Sequence, residues 1–381
     1  MLIQTIPERD IYLAPVPEHP SDLGFGHMDW WAGQQMAVGR VLAGFAEADV
    51  VLLNAPTGSG KTLIAAAVGK LMGIPSVTAV HTLALQDQYR QTAKWAMTAK
   101  GKSNFPCGQP ERDTKGVLKA LGVSSLNADQ CDDYLGCDNP WRYGCPYFRS
   151  IGDAADAEQV ILNYAYGLRI CQSAYLKRGV CLSEEDEAVE NPFRRELAVL
   201  DEGHLASNAI VQACTLDFWH RSMERIGLHM PKAVDVTAWQ AWAEGAVIQI
   251  DKFQAGNDDI VFRQRVTSLR VRLVDLLRLN PQDWILRSHP GLTQIQPLWA
   301  RSVYSRFLAY YPKLLIMSAT LGDPNLLVHK LGLEKRNVAY IEIPSTFPKE
   351  NRPTFYWPTV KLSAKSDDGD YAVLASAIEY I

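Results

Sequence analysis

The octet Ala55-Pro56-Thr57-Gly58-Ser59-Gly60-Lys61-Thr62 constrains this chain more than any other feature. Val50 to Leu53 precede it as a short apolar run, and an alanine- and leucine-rich stretch, Leu63 to Leu71, follows it. The first reads as a buried parallel strand and the second as a helix. The turn between them suits a polyanion. Gly58 and Gly60 let the backbone aim N–H groups at phosphate oxygens, and the helix start adds its positive dipole end. Lys61 is placed to reach β- and γ-phosphates, and the Thr62 hydroxyl to ligate Mg²⁺. Ala55 stands where the general pattern has its first glycine, a position that takes small side chains.

Further apolar runs at Ser76 to His81, Val160 to Asn163, Leu197 to Leu200 and Leu314 to Ser318 predict strands. Alternating with helical patterns, they predict a parallel α/β sheet. The run at 197–200 ends in Asp201-Glu202-Gly203-His204. A carboxylate at a strand's C-terminal end, Asp201, can hold the metal opposite the phosphate loop. Glu202 beside it is the candidate base for an attacking water. His204 is the candidate relay from the nucleotide to the rest of the molecule. Ser318-Ala319-Thr320 closes the last run and is a candidate coupling element.

Four cysteines lie between loop and box: Cys107, Cys131, Cys137 and Cys145, spaced Cys-x23-Cys-x5-Cys-x7-Cys. Residues 101–150 are rich in Cys, Gly, Pro, Asn and Asp with little periodicity, so a small inserted subdomain there needs a staple. Paired Cys-x2-Cys knuckles are absent. Four thiolates suit either tetrahedral Zn²⁺ or a [4Fe–4S] cube, and the spacing leaves both open. Cys171, Cys181 and Cys214 are scattered and read as buried small residues.

Length, 381 residues, accommodates two or three domains. No apolar run reaches the length of a membrane span, and Met1 to Asp10 lacks the pattern of a secretory signal, so a cytoplasmic chain without a membrane partner is expected. A net charge of −4 argues against a wholesale basic nucleic-acid binder but leaves room for a local basic channel. Residues 205–300 read as mostly helical. Within them Phe262, Val266, Leu269, Leu273, Leu276 and Leu277 recur at helical spacing. Arg263, Arg265, Arg270, Arg272 and Arg278 lie on the same stretch with Asp275 opposing, either a solvated face or part of such a channel. The acidic run Ser183 to Glu190 reads as an exposed loop.

In their order, the phosphate loop, the four cysteines, the Asp-Glu-x-His box and Ser-Ala-Thr resemble the iron–sulfur superfamily 2 helicases of the XPD/DinG type. Cys145-Pro146-Tyr147-Phe148 and Val160-Ile161-Leu162-Asn163-Tyr164-Ala165-Tyr166-Gly167-Leu168 are close to that family's wording. Gln34, with Gln35 as its rival, resembles the adenine-reading glutamine. His81 to Gln88 resembles the motif that touches the DNA backbone, and Ser345-Thr346-Phe347 the element leading out of the first motor domain.

The resemblance implies a RecA-like motor domain over 1–100, 151–204 and 301–350. It implies a [4Fe–4S] insertion at 101–150 held by Cys107, Cys131, Cys137 and Cys145, and a helical arch at 205–300. ATP and Mg²⁺ would be the other cofactors, with Gln34, Ala55, Thr57 to Thr62 and His204 around the nucleotide. Partners would be single-stranded DNA and DNA junctions, the enzyme moving 5′ to 3′ as a monomer.

Two departures stand out. The arginine usual in the adenine motif is missing, with Trp30 and Trp31 in its neighbourhood. No Gly-Arg-x-x-Arg element follows Ser318. Residues 351–381, with a helix expected over 370–381, read as the start of a second motor domain, the rest of which a longer parent or a separate chain would supply. Two readings follow: an ATP-dependent helicase complete only with that domain, or a protein that holds nucleotide and single-stranded DNA without appreciable turnover alone.

Overall fold

The computed structural model describes residues 3–5, 16–26, 28–106, 145–178, 193–232, 235–255, 260–345, 359–363 and 366–379. Two compact units result, Met1–Pro344 and Ser345–Ile381. In the second, the described secondary structure is a helix at Asp368–Glu379, against an expectation of 370–381.

The first unit is built on eight strands: β1 (Gln4–Thr5), β2 (Val50–Asn54), β3 (Ser76–Val80), β4 (Met97–Ala99), β5 (Gln159–Asn163), β6 (Leu197–Asp201), β10 (Lys313–Ser318) and β11 (Val338–Glu342). Their order is β1-β11-β2-β10-β6-β3-β5-β4, and every neighbouring pair is parallel. All five expected strands are present, each within a residue of its expected bounds. Parallel strands buried on both faces have to read as continuous apolar runs, and β2, β6 and β10 do. Alternate side chains feed two cores. Val51, Leu53, Leu315 and Met317 pack with α1 (Gln34–Glu47) and α2 (Lys61–Met72). Leu52, Leu200, Leu314 and Ile316 pack on the opposite face.

Three further helices flank the sheet: α3 (Leu83–Thr92), α4 (Pro146–Asp156) and α5 (Tyr164–Arg178). Helix α4 crosses the expected boundary at 150/151, so the 101–150 segment does not end in a loop. The chain leaves the sheet after β4, the edge strand. Its described flanks come together again: the Phe105 and Tyr147 rings meet edge-on at 5.7 Å, and Lys102 lies over the Tyr147 and Phe148 rings.

The insertion between β6 and β10 differs from expectation. It carries α6 (Ala206–Cys214), α7 (His220–Glu224), α8 (Val236–Ala255) and α9 (Ile260–Leu277), but also a three-stranded antiparallel sheet of β7 (Leu216–Trp219), β9 (Leu292–Pro297) and β8 (Trp284–His289). A segment expected to be mostly helical thus ends in a hairpin. β9 alternates half-buried and buried positions, as a one-sided sheet requires. Its polar positions and terminal proline hide it among loop-like residues. Helix α9 does show the expected apolar face: Val266, Leu269, Leu273 and Leu276 are buried.

The acidic run 183–190 lies outside the described residues. No helix among the described residues is long and apolar enough to cross a membrane.

Candidate active site

The C-terminal edge of a parallel sheet is where its loops converge, and it is the usual place for ligands in such folds. Here β2, β10 and β6 are neighbours, so the phosphate loop, Ser318 and Asp201 emerge side by side. Met317 is in register with Asp201, and the Ala55 N–H donates to the Ser318 carbonyl at 2.9 Å. Sequence positions more than a hundred residues apart are joined by register alone.

In the loop, Gly58 and Gly60 have φ of 80° and 71°, the left-handed region that glycine enters without penalty. Helix α2 starts at Lys61 with no side chain capping it, which leaves its first N–H groups for a ligand. The Ser59 hydroxyl is buried without a hydrogen-bond partner. Lys61 Nζ sits 3.4 Å from the Ala55 carbonyl, folded over the loop. Thr57 and Gly58 are exposed at its tip. An uncapped helix start, an orphaned buried hydroxyl and a lysine across the loop fit a phosphate chain. The Thr62 hydroxyl and the Asp201 carboxylate are oxygen donors of the kind that magnesium takes.

Asp201 is buried at the end of β6. Its Oδ1 accepts the Glu202 N–H at 3.0 Å, and its Oδ2 accepts the Tyr89 hydroxyl at 3.1 Å. The Tyr164 hydroxyl donates to its backbone carbonyl at 2.9 Å. Burial pushes the carboxyl up from its ordinary range. The Tyr89 and Glu202 N–H hydrogen bonds oppose that, the Glu202 charge adds to it, and Lys61 offsets part. Burial, followed by the Asp201 charge, also holds both tyrosines well above the usual phenol range. Neither tyrosine is among the residues expected at the site. Tyr164 lies within Val160 to Leu168 with no local mark of a role, and nothing near Tyr89 shows that it reaches a strand 112 residues away.

Glu202 is the one non-glycine residue with positive φ among the described residues, at φ 51° and ψ 46°. Its neighbour Gly203 explains part of the tight turn: a Cβ there would lie 2.2 Å from Ile316 Cγ2 on β10. The turn brings the acidic box onto Ser318. Ser318 Oγ donates to Glu202 Oε2 at 3.3 Å and lies 2.8 Å from His204 Nδ1, which is itself 3.5 Å from Glu202 Oε2. The Thr320 N–H donates to the same Ser318 hydroxyl at 3.1 Å. Box and Ser-Ala-Thr therefore form one hydrogen-bonded group, through Ser318 and the Thr320 backbone.

Gln34 is buried against the phosphate loop. Its Oε1 accepts the Trp31 N–H at 2.8 Å and its Nε2 donates to the Ser59 carbonyl at 3.0 Å. Gln35 instead donates to the Pro17 and Val16 carbonyls. The Trp31 ring is exposed beside the loop. On α3, Gln86 is wholly buried and donates to the carbonyls of Ala99 and Ile161, so this member of the 81–88 motif serves the sheet's edge.

Cys145 is half-buried at the start of α4, while Cys107, Cys131 and Cys137 lie outside the described residues. Among the described residues no three His, Cys, Asp or Glu side chains gather to hold a metal ion. Cys171 and Cys214 are buried, as expected; Cys181 is outside the described residues.

Two arginines of α9 are engaged by neighbouring elements, one at the surface and one half-buried. Arg270 makes a two-pronged contact with Asp251 at 2.6 and 3.2 Å, and Arg272 donates to the Asp217 carbonyl at 2.5 Å. Burial lowers the Arg272 guanidinium from its usual range. The side chains of Arg263 and Arg265 lie outside the described residues.

No protein-family model matches the chain, and no curated protein matches it. Solved structures do. The chain is similar to an XPD helicase at 17% identity and a TM-score of 0.49, covering 82% of this chain and 62% of that one. It is similar to a truncated XPD at 16% identity and 0.45, covering 81% and 99%. S. tokodaii Xpd4 aligns at 13% identity and 0.41, covering 83% and 61%. The chain thus spans under two thirds of the first of these proteins.

Proposed function

We propose that this chain is the nucleotide-binding part of an ATP-dependent DNA helicase of the XPD/DinG type. One observation carries the reading. An uncapped phosphate loop with Lys61 and Thr62, a buried Asp201, and Glu202 tied to Ser318 and His204 all meet at one sheet edge. Lys61 would neutralise phosphate charge and the α2 N-terminus would hold the phosphates. Thr62 and Asp201 would hold Mg²⁺, which when bound screens the charge on the phosphate oxygens. Glu202 would orient the attacking water and accept its proton. Ser318, bonded to both Glu202 and His204, would carry the state of that carboxylate to whatever rests on the sheet edge.

Appreciable turnover would need arginines from a second motor domain across the cleft. Single-stranded DNA is the proposed polymer, moving 5′ to 3′. The four cysteines are proposed to hold a [4Fe–4S] cluster. The edge-on contact of Phe105 and Tyr147, on the two flanks of the cysteine segment, supports that reading.

The test joins the chain to a second RecA-like domain and measures ATPase with and without single-stranded DNA. DNA-stimulated hydrolysis, lost in Lys61→Ala and in Glu202→Gln, is expected. Strong DNA-stimulated hydrolysis by residues 1–381 alone would remove the need for a second domain. For the cluster, anaerobic purification should give a coloured, iron-bearing protein, and stoichiometric zinc without iron would refute it.

A further inference from the structure

We infer that Tyr89 is a positioning residue that presets the Asp201 carboxylate intended for magnesium. The inference rests on the proposed nucleotide site and deepens it. The Tyr89 hydroxyl donates to Asp201 Oδ2 at 3.1 Å. A buried hydroxyl on α3 therefore holds the carboxylate oxygen of β6 that is proposed to face the metal.

The geometry makes this more than a packing contact. Asp201 forms no ion pair among the described residues; each of its oxygens is held by one neutral donor. Removing the phenol hydroxyl frees Oδ2 to rotate about the side-chain bond while the Glu202 N–H still holds Oδ1. Tyr89 can act as a strut because α3 is fixed to the sheet. Three residues earlier on the same buried face, Gln86 donates to the carbonyls of Ala99 and Ile161 at 3.0 and 3.3 Å. The other end of α3 begins at Thr82, whose hydroxyl accepts the Leu85 N–H at the sheet edge beside His81.

Tyr164 is the natural comparison. It is an equally buried phenol on the same residue, but it donates to the backbone carbonyl of Asp201 instead of its carboxylate. A role in general packing predicts equal effects from both; a role in metal positioning predicts an effect from Tyr89 alone.

The experiment titrates a fluorescent ATP analogue against the full chain at rising Mg²⁺, with an EDTA reference. In Tyr89→Phe, the Mg²⁺ concentration for half-maximal enhancement of binding should rise about tenfold, the low end for losing a group that orients a metal-binding side chain. Binding in EDTA should stay within about twofold, and Tyr164→Phe should keep the wild-type midpoint within about twofold. Mn²⁺ binding without nucleotide, followed by electron paramagnetic resonance, should weaken in the same order.

An unchanged Mg²⁺ midpoint in Tyr89→Phe overturns the inference, as do equal shifts in both variants. The underlying nucleotide site stands or falls separately. Wild type without any Mg²⁺-dependent nucleotide binding, or Lys61→Ala binding as well as wild type, would sink that site and take this inference with it. If Tyr89→Phe does not fold, Tyr89→His, which restores a ring donor, decides: it must recover part of the wild-type midpoint, and a failure to do so in a folded protein counts against the role.

Discussion

Asp201 and Asp275 are both buried aspartates, one at the sheet edge and one in the insertion, and they are managed in opposite ways. Asp275 on α9 is closed by Arg306 through two parallel contacts of 3.0 Å, with the guanidinium also over the Trp284 ring. Asp201 has neutral donors on both oxygens and its carboxyl is pushed up by burial. A carboxylate sealed by its own arginine has nothing left to offer a ligand and serves the packing of the insertion. A carboxylate buried without one is costly to keep charged, and it offers a cation-binding oxygen.

The largest test removes one partner of the sealed pair. Asp275→Ala should destabilise the first unit by about 3–5 kcal/mol, because Arg306 is left charged and buried. The measurement is the urea midpoint of tryptophan fluorescence. Replacing both partners, Asp275→Leu with Arg306→Met, should recover most of that loss. If the double variant is as unstable as the single one, the pair is not a self-contained structural unit. Cys214 supplies a second readout. It lies against Arg306, and burial pushes its thiol up to about 12. Alkylation of Cys214 at pH 8 should be absent in wild type and appear in Asp275→Ala.

The two regions are unequally legible from sequence. The central strands of the eight-stranded sheet can be read because burial on both faces enforces apolar runs. The phosphate loop can be read because its glycines have backbone work to do. β4 and β11 escape, one being three residues long and the other mixing Tyr340 and Glu342 into its run. In the insertion, a one-sided hairpin with alternating polar positions carries no such run, so β7, β8 and β9 are hidden in a segment that looks helical. The arginines of α9 look alike in sequence; only the fold shows that Arg270 faces Asp251 and Arg272 a backbone carbonyl. At the site, motif residues are visible in the sequence and their supports are not. Tyr89 reaches Asp201, and Ser318 reaches Glu202, through strand order that no local spacing encodes.

A middle-sized effect tests the site's close packing. Gly203→Ala puts a Cβ 2.2 Å from Ile316 Cγ2, on a strand at the centre of the sheet. Relief needs a shift of β10 or of the box, at a cost of about 1–3 kcal/mol. Because the same shift moves Ser318 against Glu202, nucleotide-dependent activity of the two-domain protein should fall more than stability does. Pairing it with Ile316→Ala, which removes the opposing methyl, should cost less than the two single changes summed. A Gly203→Ala protein with wild-type midpoint and activity would show that the turn is loose.

Asp201→Asn tests the unsealed carboxylate by the sign of its pH dependence, in EDTA so that no ion intervenes. A raised native carboxyl keeps its proton to higher pH than the unfolded chain does. Wild-type stability from this group therefore falls as pH rises from the ordinary aspartate range towards the raised native value, and then levels. Asparagine cannot titrate. The variant should match or trail wild type near pH 4 and gain on it as pH rises, within about 1 kcal/mol, while losing Mg²⁺-dependent nucleotide binding. A variant that loses ground with rising pH would mean that Asp201 is better stabilised as an anion than its neutral partners suggest.

The smallest effect completes the contrast with the insertion. Gly245 sits within α8, exposed, and a Cβ there would meet nothing within 4 Å. Gly245→Ala removes backbone freedom from the unfolded chain and adds a better helix former, so it should stabilise by about 0.5–1 kcal/mol. The same substitution at Gly203 is expected to cost more than this gains, although both add one methyl group. The gain should leave nucleotide binding unchanged, since α8 contributes no residue to the sheet edge. If Gly245→Ala weakened nucleotide binding instead, the insertion would be coupled to the site through α8, and the division between a sealed structural region and an open functional one would have to be redrawn.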